Sequence, residues 1–127
     1  MNSVVLDASA LLALLHKERG SELVERNLPG AALLTVNYSE VLKKVVENGG
    51  ALSAADSFIR QLQLQIIPFD ECLASDTAAL WDKARKFGLS LADRSCLALG
   101  RSMKRTVLTA DKRWADLDVG IKVKLIR

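Results

Sequence analysis

The stretch VVLDASALLALL, residues 4–15, decides the fold because it places one acidic residue between two apolar segments. Its first three residues are a short apolar run, which is typical of a strand covered on both faces in a parallel sheet. Residues 8–15 are apolar nearly all round and predict a buried helix directly after that strand. Asp7 would then lie between two buried elements, where a charge needs polar partners.

The rest of the chain repeats this alternation of strand and helix. Further strands are predicted at residues 31–35, 65–69, 106–109 and 121–125. Helices are predicted at residues 21–28, 37–47, 53–62, 70–87 and 91–100, with a helical turn at 111–115. Such alternation implies right-handed crossovers and a parallel sheet with helices on both faces. The sequence therefore predicts an α/β fold with three layers, α/β/α, in a single domain over residues 1–127.

Hydrophobicity also predicts which strands are central. Residues 4–6 and 107–108 are the most apolar strand segments and should lie in the middle of the sheet. Pro68 cannot donate a ladder hydrogen bond, and residues 121–125 alternate between apolar and polar, so both of these strands should lie at edges.

The composition excludes several classes of protein. Half of the 127 residues are apolar and about a quarter are charged, as in an ordinary folded domain rather than a disordered chain. No apolar run approaches the roughly 18 residues of a membrane span, and no basic segment precedes an apolar one as in a secretory signal, so the expected compartment is the cytoplasm. Cys72 and Cys96 lack the spacing of a zinc site or disulfide framework and are expected to be buried.

Four acidic residues are predicted to meet at one edge of this sheet. Asp7 ends the first strand, and Asp111 lies two residues after Thr109, which ends the fourth. Glu40 and Asp93 fall in the first turns of helices, and a helix that follows a strand begins at that strand's carboxyl end. Ligands of open parallel sheets bind at this edge, so the four carboxylates could share one pocket.

Neighbouring carboxylates repel one another unless cations lie between them. Mg²⁺ and Mn²⁺ prefer oxygen ligands, and the chain has a single histidine as a softer alternative. Such ions can activate water and stabilise in-line displacement at a phosphodiester. With the four acids set aside, 11 acidic residues remain against 18 basic ones, an excess that would attract a polyanion.

Each acid also has a purely structural interpretation. Glu40 follows Asn37 by three residues and Asp93 follows Ser90 by three, which fits capping boxes. Glu40 could instead pair with Lys44 one helical turn later. Asp111 alone could be a turn residue.

Other polar and aromatic residues are interpreted structurally. His16 is expected to be a cation at a helix C-terminus, and Trp81 belongs to a predicted core stripe. Trp114 should anchor the turn that carries Asp111. Asp116 and Asp118 are expected to be solvated, with an outer metal-ligand role as the alternative for Asp116.

Four segments together resemble the motifs of PIN-domain ribonucleases, and in length and order those of VapC-type toxins of toxin–antitoxin pairs. They are VVLDASALLALL at 4–15, NYSEV at 37–41, LSLADRSCLAL at 89–99 and VLTADKRW at 107–114. The resemblance covers nearly the whole chain.

The resemblance implies a five-stranded parallel sheet, Mg²⁺ or Mn²⁺, endonucleolytic cleavage of RNA, a homodimer, and a VapB-type antitoxin that also binds operon DNA. By position, the metal-ligand roles go to Asp7, Glu40, Asp93 and Asp111. Ser9 and Thr109 match hydroxyl positions that support them. Arg94 departs from the pattern, which has a small residue there, and is interpreted as a surface residue or, alternatively, a phosphate contact.

Three alternatives remain open on the sequence. A response-regulator-like phosphoacceptor domain needs an acidic pair after the first strand, whereas Asp7 stands alone, although Asp70 ends the third strand. A haloacid-dehalogenase-like phosphatase needs an aspartate where Ser9 lies. A non-catalytic PIN-fold binding module would have little use for intact acids.

Overall fold

The computed structural model describes residues 3–127, so Met1 and Asn2, which the single-domain prediction includes, lie outside the described residues. The strands are β1 Val5–Leu6, β2 Ala32–Leu34, β3 Gln65–Ile67, β4 Val107–Thr109 and β5 Val123–Leu125. The α-helices are α1 Ala8–Leu15, α2 Ser21–Arg26, α3 Thr35–Glu47, α4 Leu52–Gln61, α5 Glu71–Ala79, α6 Trp81–Ala84 and α7 Leu91–Met103. Two 3-10 turns span Arg85–Phe87 and Lys112–Asp116.

The five strands form one parallel sheet in the order β3-β2-β1-β4-β5. Strand β1 is central, and its register pairs Val5 with Ala32 on one side and with Val107 on the other. Strands β3 and β5 are the edges, as the proline and the polar alternation predicted. From β1 the chain adds β2 and β3 on one side of the sheet and then β4 and β5 on the other. The carboxyl ends of β1 and β4 therefore flank a crevice of the kind that binds ligands in open α/β sheets.

Helices cover both faces of the sheet, because successive strand side chains point to opposite sides. Val5 packs into a core with residues of α5 and α7, including Leu97. Leu6 packs on the other face with Ala10 and Ala13 of α1. The predicted three-layer α/β/α architecture is confirmed.

The prediction of one helix over residues 70–87 is wrong. The segment breaks after Ala79 into α5, α6 and a 3-10 turn. The hydroxyl of Thr77 donates to the carbonyl of Leu73 at 2.6 Å, and the carbonyl of Thr77 accepts from Leu80 N–H and from the Arg94 guanidinium. Such side-chain bonding to backbone competes with the regular helical ladder, so the helix bends here.

Other expectations for this region also differ from the structure. Trp81 was expected in the core, but its side chain is half exposed, and the Arg94 guanidinium lies 5.3 Å from its ring centroid. Arg94 is half-buried rather than a free surface residue. Cys72 is exposed, whereas Cys96 is buried as predicted.

Two helix starts also differ from the sequence prediction. Helix α3 begins at Thr35, directly after β2, so Glu40 lies in its second turn rather than its first. Helix α4 begins at Leu52, with Ala51 as its N-cap and no side-chain cap, one residue before the predicted start at residue 53. Among residues 3–127, every helix is too short or too polar to traverse a lipid bilayer.

Candidate active site

A cavity of about 200 Å³ opens at the carboxyl edge of β1 and β4. All four acids singled out in the sequence line it, each from a different element. The complete lining is Asp7, Ala8, Ser9, Leu12, Glu40, Lys43, Lys44, Asp93 and Asp111. The topology therefore brings together residues that are as far apart in the sequence as Asp7 and Asp111.

Asp7 is the most buried of these acids and is held at both carboxylate oxygens. It is the N-cap of α1, and Oδ1 accepts from Ala10 N–H and from the Ser9 hydroxyl, each at 2.8 Å. Oδ2 accepts from the Thr109 hydroxyl at 2.5 Å. Asp7 thus has the polar partners that its position between two buried elements requires.

Burial dominates the ionisation of Asp7 despite these partners. Removal from water raises its pKa from 3.8 to about 6, while the hydrogen bonds from Thr109, Ala10 and Ser9 oppose the rise. The Asp93 carboxylate adds a smaller upward effect. A buried carboxylate with a raised pKa and a like charge nearby would gain from a cation in this cavity.

Glu40 is placed by its helix and by a buried amide. Asn37, one turn earlier on α3, donates from Nδ2 to Glu40 Oε1 at 3.5 Å and to the carbonyl of Ala92 at 3.3 Å. Partial burial raises the pKa of Glu40, and Asp93 adds to the rise. The capping box expected for Asn37 and Glu40 is wrong, because both residues lie inside α3. Lys44 bonds Glu47 rather than Glu40.

Asp93 has the structural role that its spacing from Ser90 predicted. Ser90 caps α7, its hydroxyl accepts from Asp93 N–H at 3.1 Å, and Asp93 Oδ2 accepts from Ser90 N–H at 2.9 Å. This capping box fixes the carboxylate at the cavity wall. Capping and a place in the cavity are therefore compatible for this residue.

Asp111 is bound to an arginine that the sequence reasoning did not single out. It caps the 3-10 turn after β4, and both of its oxygens accept from Arg113 Nε at 3.0 Å. Arg113 Nη2 lies 2.5 Å from Asp111 Oδ2 and 3.6 Å from Asp93 Oδ2. Hydrogen bonding from Arg113 holds the pKa of Asp111 below its usual range. The spacing Asp-x-Arg across a tight turn is the one sequence signal from which this pair could have been predicted.

Several other sequence-predicted residues lie away from the cavity. Asp116 and Asp118 line a separate depression with Lys83 and Lys86, so Asp116 is not an outer ligand of the acidic site. Asp70, which a phosphoacceptor domain would need in the site, instead caps α5 through the N–H of Leu73 and does not line the cavity. Trp114 is buried beneath the Asp111 turn, as predicted.

The donor chemistry of the cavity suits a hard divalent cation, because all four acids supply carboxylate oxygens. The buried Oδ1 of Asn37, which has no hydrogen-bond partner among the described residues, is a further oxygen beside Glu40. Within residues 3–127, however, no three acidic, histidine or cysteine side chains lie close enough to hold an ion jointly. The residue types fit a divalent metal ion. In the structure, however, Asp111 and Asp93 contact Arg113.

The structure resembles solved toxin–antitoxin proteins in fold. A toxin–antitoxin complex from Klebsiella pneumoniae is 20% identical, with a TM-score of 0.75 and coverage of 98% of each chain. A DNA-bound VapBC from Salmonella typhimurium is 15% identical, with a TM-score of 0.76 and full coverage of both chains. A sarcin–ricin loop cleaving VapC toxin of Mycobacterium tuberculosis is 15% identical, with a TM-score of 0.74, and the match covers 94% of this chain and 99% of that one.

Sequence comparison gives the family directly. No curated protein matches the sequence at a significant level. The family model described as "PIN domain" matches residues 4–120, nearly the whole chain and all four acids of the cavity. The topology, the placement of the acids and this match agree, and the chain belongs to the PIN domain family.

Proposed function

We propose that this protein is an endoribonuclease that hydrolyses RNA phosphodiester bonds with Mg²⁺ or Mn²⁺ at its acidic cavity. The observation that carries the proposal is the shared cavity: Asp7, Glu40, Asp93 and Asp111 come from four separate parts of the chain and line one opening. A fold does not require four acids at one sheet edge, since they repel one another there. Cation-dependent chemistry explains their presence.

The acids and the hydroxyl residues of the cavity would have different roles. Asp7, Glu40, Asp93 and Asp111 would hold the cation, and the Ser9 and Thr109 hydroxyls keep the Asp7 carboxylate in one orientation. When bound, the divalent ion would supply Lewis-acid stabilisation of the charge that develops on the phosphodiester. No side-chain general base is needed in such a scheme.

Two lysines make the same cavity suitable for a phosphate backbone. Lys43 and Lys44, both on exposed turns of α3, line the wall beside Glu40. Both lysines form ion pairs with Glu47, with distances from Nζ to a carboxylate oxygen of 2.8 Å for Lys43 and 3.6 Å for Lys44. Basic side chains next to an acidic centre attract a polyanion, while the acids bind the divalent cation.

We further propose that the protein is the VapC-type toxin of a toxin–antitoxin pair, a cytoplasmic homodimer that binds a VapB-type antitoxin. Support comes from the neighbours in fold, which include a toxin–antitoxin complex and a DNA-bound VapBC. Expression together with the adjacent genes and purification through a tag on this chain should recover a small second protein in a stable complex. Recovery of the chain alone would contradict the pairing.

The nuclease proposal is tested on purified protein and total cellular RNA. The wild-type protein should cut RNA at discrete sites in Mg²⁺ or Mn²⁺ and not in EDTA. Asp93→Asn should lower the rate by at least about a hundredfold, while Asp76→Asn, at an exposed acid of α5 outside the cavity, should keep it. Circular dichroism verifies that both variants are folded. Full activity of folded Asp93→Asn, or equal activity in EDTA, would refute the proposal.

A further inference from the structure

Arg113 is a cation built into the edge of the acidic cavity. Through Nε and Nη2 it contacts both oxygens of Asp111, at 3.0 Å, 3.0 Å and 2.5 Å. The same Nη2 lies 3.6 Å from Asp93 Oδ2. One guanidinium therefore faces two of the four carboxylates assigned to the cation.

The backbone fixes this guanidinium from its other side. Arg113 Nη1 donates to the carbonyls of Phe87 and Gly88, at 3.3 Å and 3.0 Å. A side-chain carbon at position 88 would lie 3.2 Å from Nη1, and the φ of +69° there also favours glycine. Residues 85–88, which follow α6, therefore supply two acceptors and the space that the arginine side chain needs. A planar guanidinium that is bonded on both sides keeps little rotational freedom.

We propose that Arg113 is an internal counter-cation that competes with the divalent ion for Asp111 and Asp93, and thereby lowers the affinity of the site for metal. The inference rests on the proposed function, since it assumes that these acids hold an ion. Paired, charge-assisted bonds from an arginine to a carboxylate are among the stronger polar contacts in proteins. A metal ion that binds the same oxygens must break these hydrogen bonds, and the positive charge of the guanidinium opposes its approach.

Competition also accounts for the side-chain positions. Asp111 accepts from Arg113 N–H at Oδ1 and from the guanidinium at both oxygens, so its lone pairs are turned toward the arginine. Asp93 contributes an oxygen to its own capping box and faces Arg113 with the same atom. Arg113 therefore contacts two of the four acids, and among residues 3–127 no three acidic, histidine or cysteine side chains lie within ion-holding distance.

The test is the dissociation constant for Mn²⁺ alone, measured by isothermal titration calorimetry on the purified full-length protein. Arg113→Met removes the charge and its contacts, and Lys112→Met removes one charge from the adjacent, exposed residue. Arg113→Gln is a second variant that keeps a hydrogen-bond donor for the loop carbonyls. Circular dichroism and urea unfolding establish that each variant is folded.

Both Arg113 variants should bind Mn²⁺ about five- to tenfold more tightly than the wild type, with Lys112→Met within about twofold of it. If both Arg113 variants bind Mn²⁺ as the wild type does, or more weakly, the competition is wrong while the metal site stands. If the wild type and all variants bind no Mn²⁺, the metal-dependent function and the competition both fall. The two failures are therefore distinguishable.

Discussion

The hydroxyl of Thr109, the last residue of β4, lies 2.5 Å from Oδ2 of Asp7, which stands 102 positions earlier, directly after β1. This bond joins the two neighbouring strands at their carboxyl ends. The Ser9 hydroxyl, 3.3 Å from the Thr109 hydroxyl, holds the other oxygen of Asp7 and accepts from the N–H of Ala110. Two strands and one helix start are thus linked through a single buried carboxylate.

The buried charge of Asp7 should cost stability at neutral pH. Its pKa is about 6 in the folded chain against 3.8 for a free carboxyl, so protonation favours the folded state and stability falls as the pH rises from 4 to 6. At about 1.4 kcal/mol per pKa unit, the loss is on the order of 3 kcal/mol by pH 7. Asp7→Asn should therefore be more stable than the wild type in EDTA at pH 7, and the difference should shrink at pH 4.5.

Urea unfolding of both proteins at the two pH values measures that difference. Asp76→Asn, at an exposed acid of α5, serves as the control and should shift the free energy of unfolding by less than about 0.5 kcal/mol. A variant at position 7 that is less stable than the wild type at pH 7 would show that the ionised carboxylate is instead a net stabilising group.

The Thr109 hydroxyl should matter more than its methyl group. Thr109→Val removes the donor to Asp7 Oδ2 at nearly constant volume, leaves a buried acceptor without it, and should lower the free energy of unfolding by about 1–3 kcal/mol at pH 7. Thr109→Ser keeps the hydroxyl and should lose less than Thr109→Val. The reverse order, with serine the more damaging, would mean that packing rather than the bond to Asp7 dominates at this position.

Lys43 and Lys44 should contribute to RNA binding through charge. Replacing both with methionine should weaken binding and reduce the slope of log affinity against log salt by about 0.7 for each phosphate that a lysine no longer neutralises. Fluorescence anisotropy with a labelled RNA in EDTA measures binding without cleavage. Lys83→Met with Lys86→Met removes the same charge from the separate depression at the 3-10 turn, and an equal change of slope in both double variants would assign the effect to net charge alone.

Elements with one dominant pattern were predictable from the sequence. The apolar run before Asp7 indicated a central strand, because a strand buried on both faces is continuously apolar. Pro68, directly after β3, indicated an edge, because proline has no N–H to donate to a neighbouring strand. The edge position of the four acids followed from the order of strands and helices. The capping box of Ser90 and Asp93 was also readable, since it depends on spacing within one turn.

The missed features depend on contacts between distant segments. The break after Ala79 arises where the Thr77 carbonyl is shared with Arg94 of another helix, and helical periodicity continues unbroken through that point. Arg113 reaches Asp93 and the carbonyls of the 85–88 loop only because β4 and α7 meet at one end of the fold. No local sequence pattern encodes such a meeting.

The most direct test of the central claim is whether the four acids bind one cation together. In urea unfolding with and without Mn²⁺, the ion should stabilise the wild type by about 2.7 kcal/mol at 100 times its dissociation constant. At the same Mn²⁺ concentration the gain should largely disappear in each of the single variants Asp7→Asn, Glu40→Gln, Asp93→Asn and Asp111→Asn. Asp116→Asn, outside the cavity, should keep it. A wild type indifferent to Mn²⁺, or four variants that respond as it does, would contradict the account.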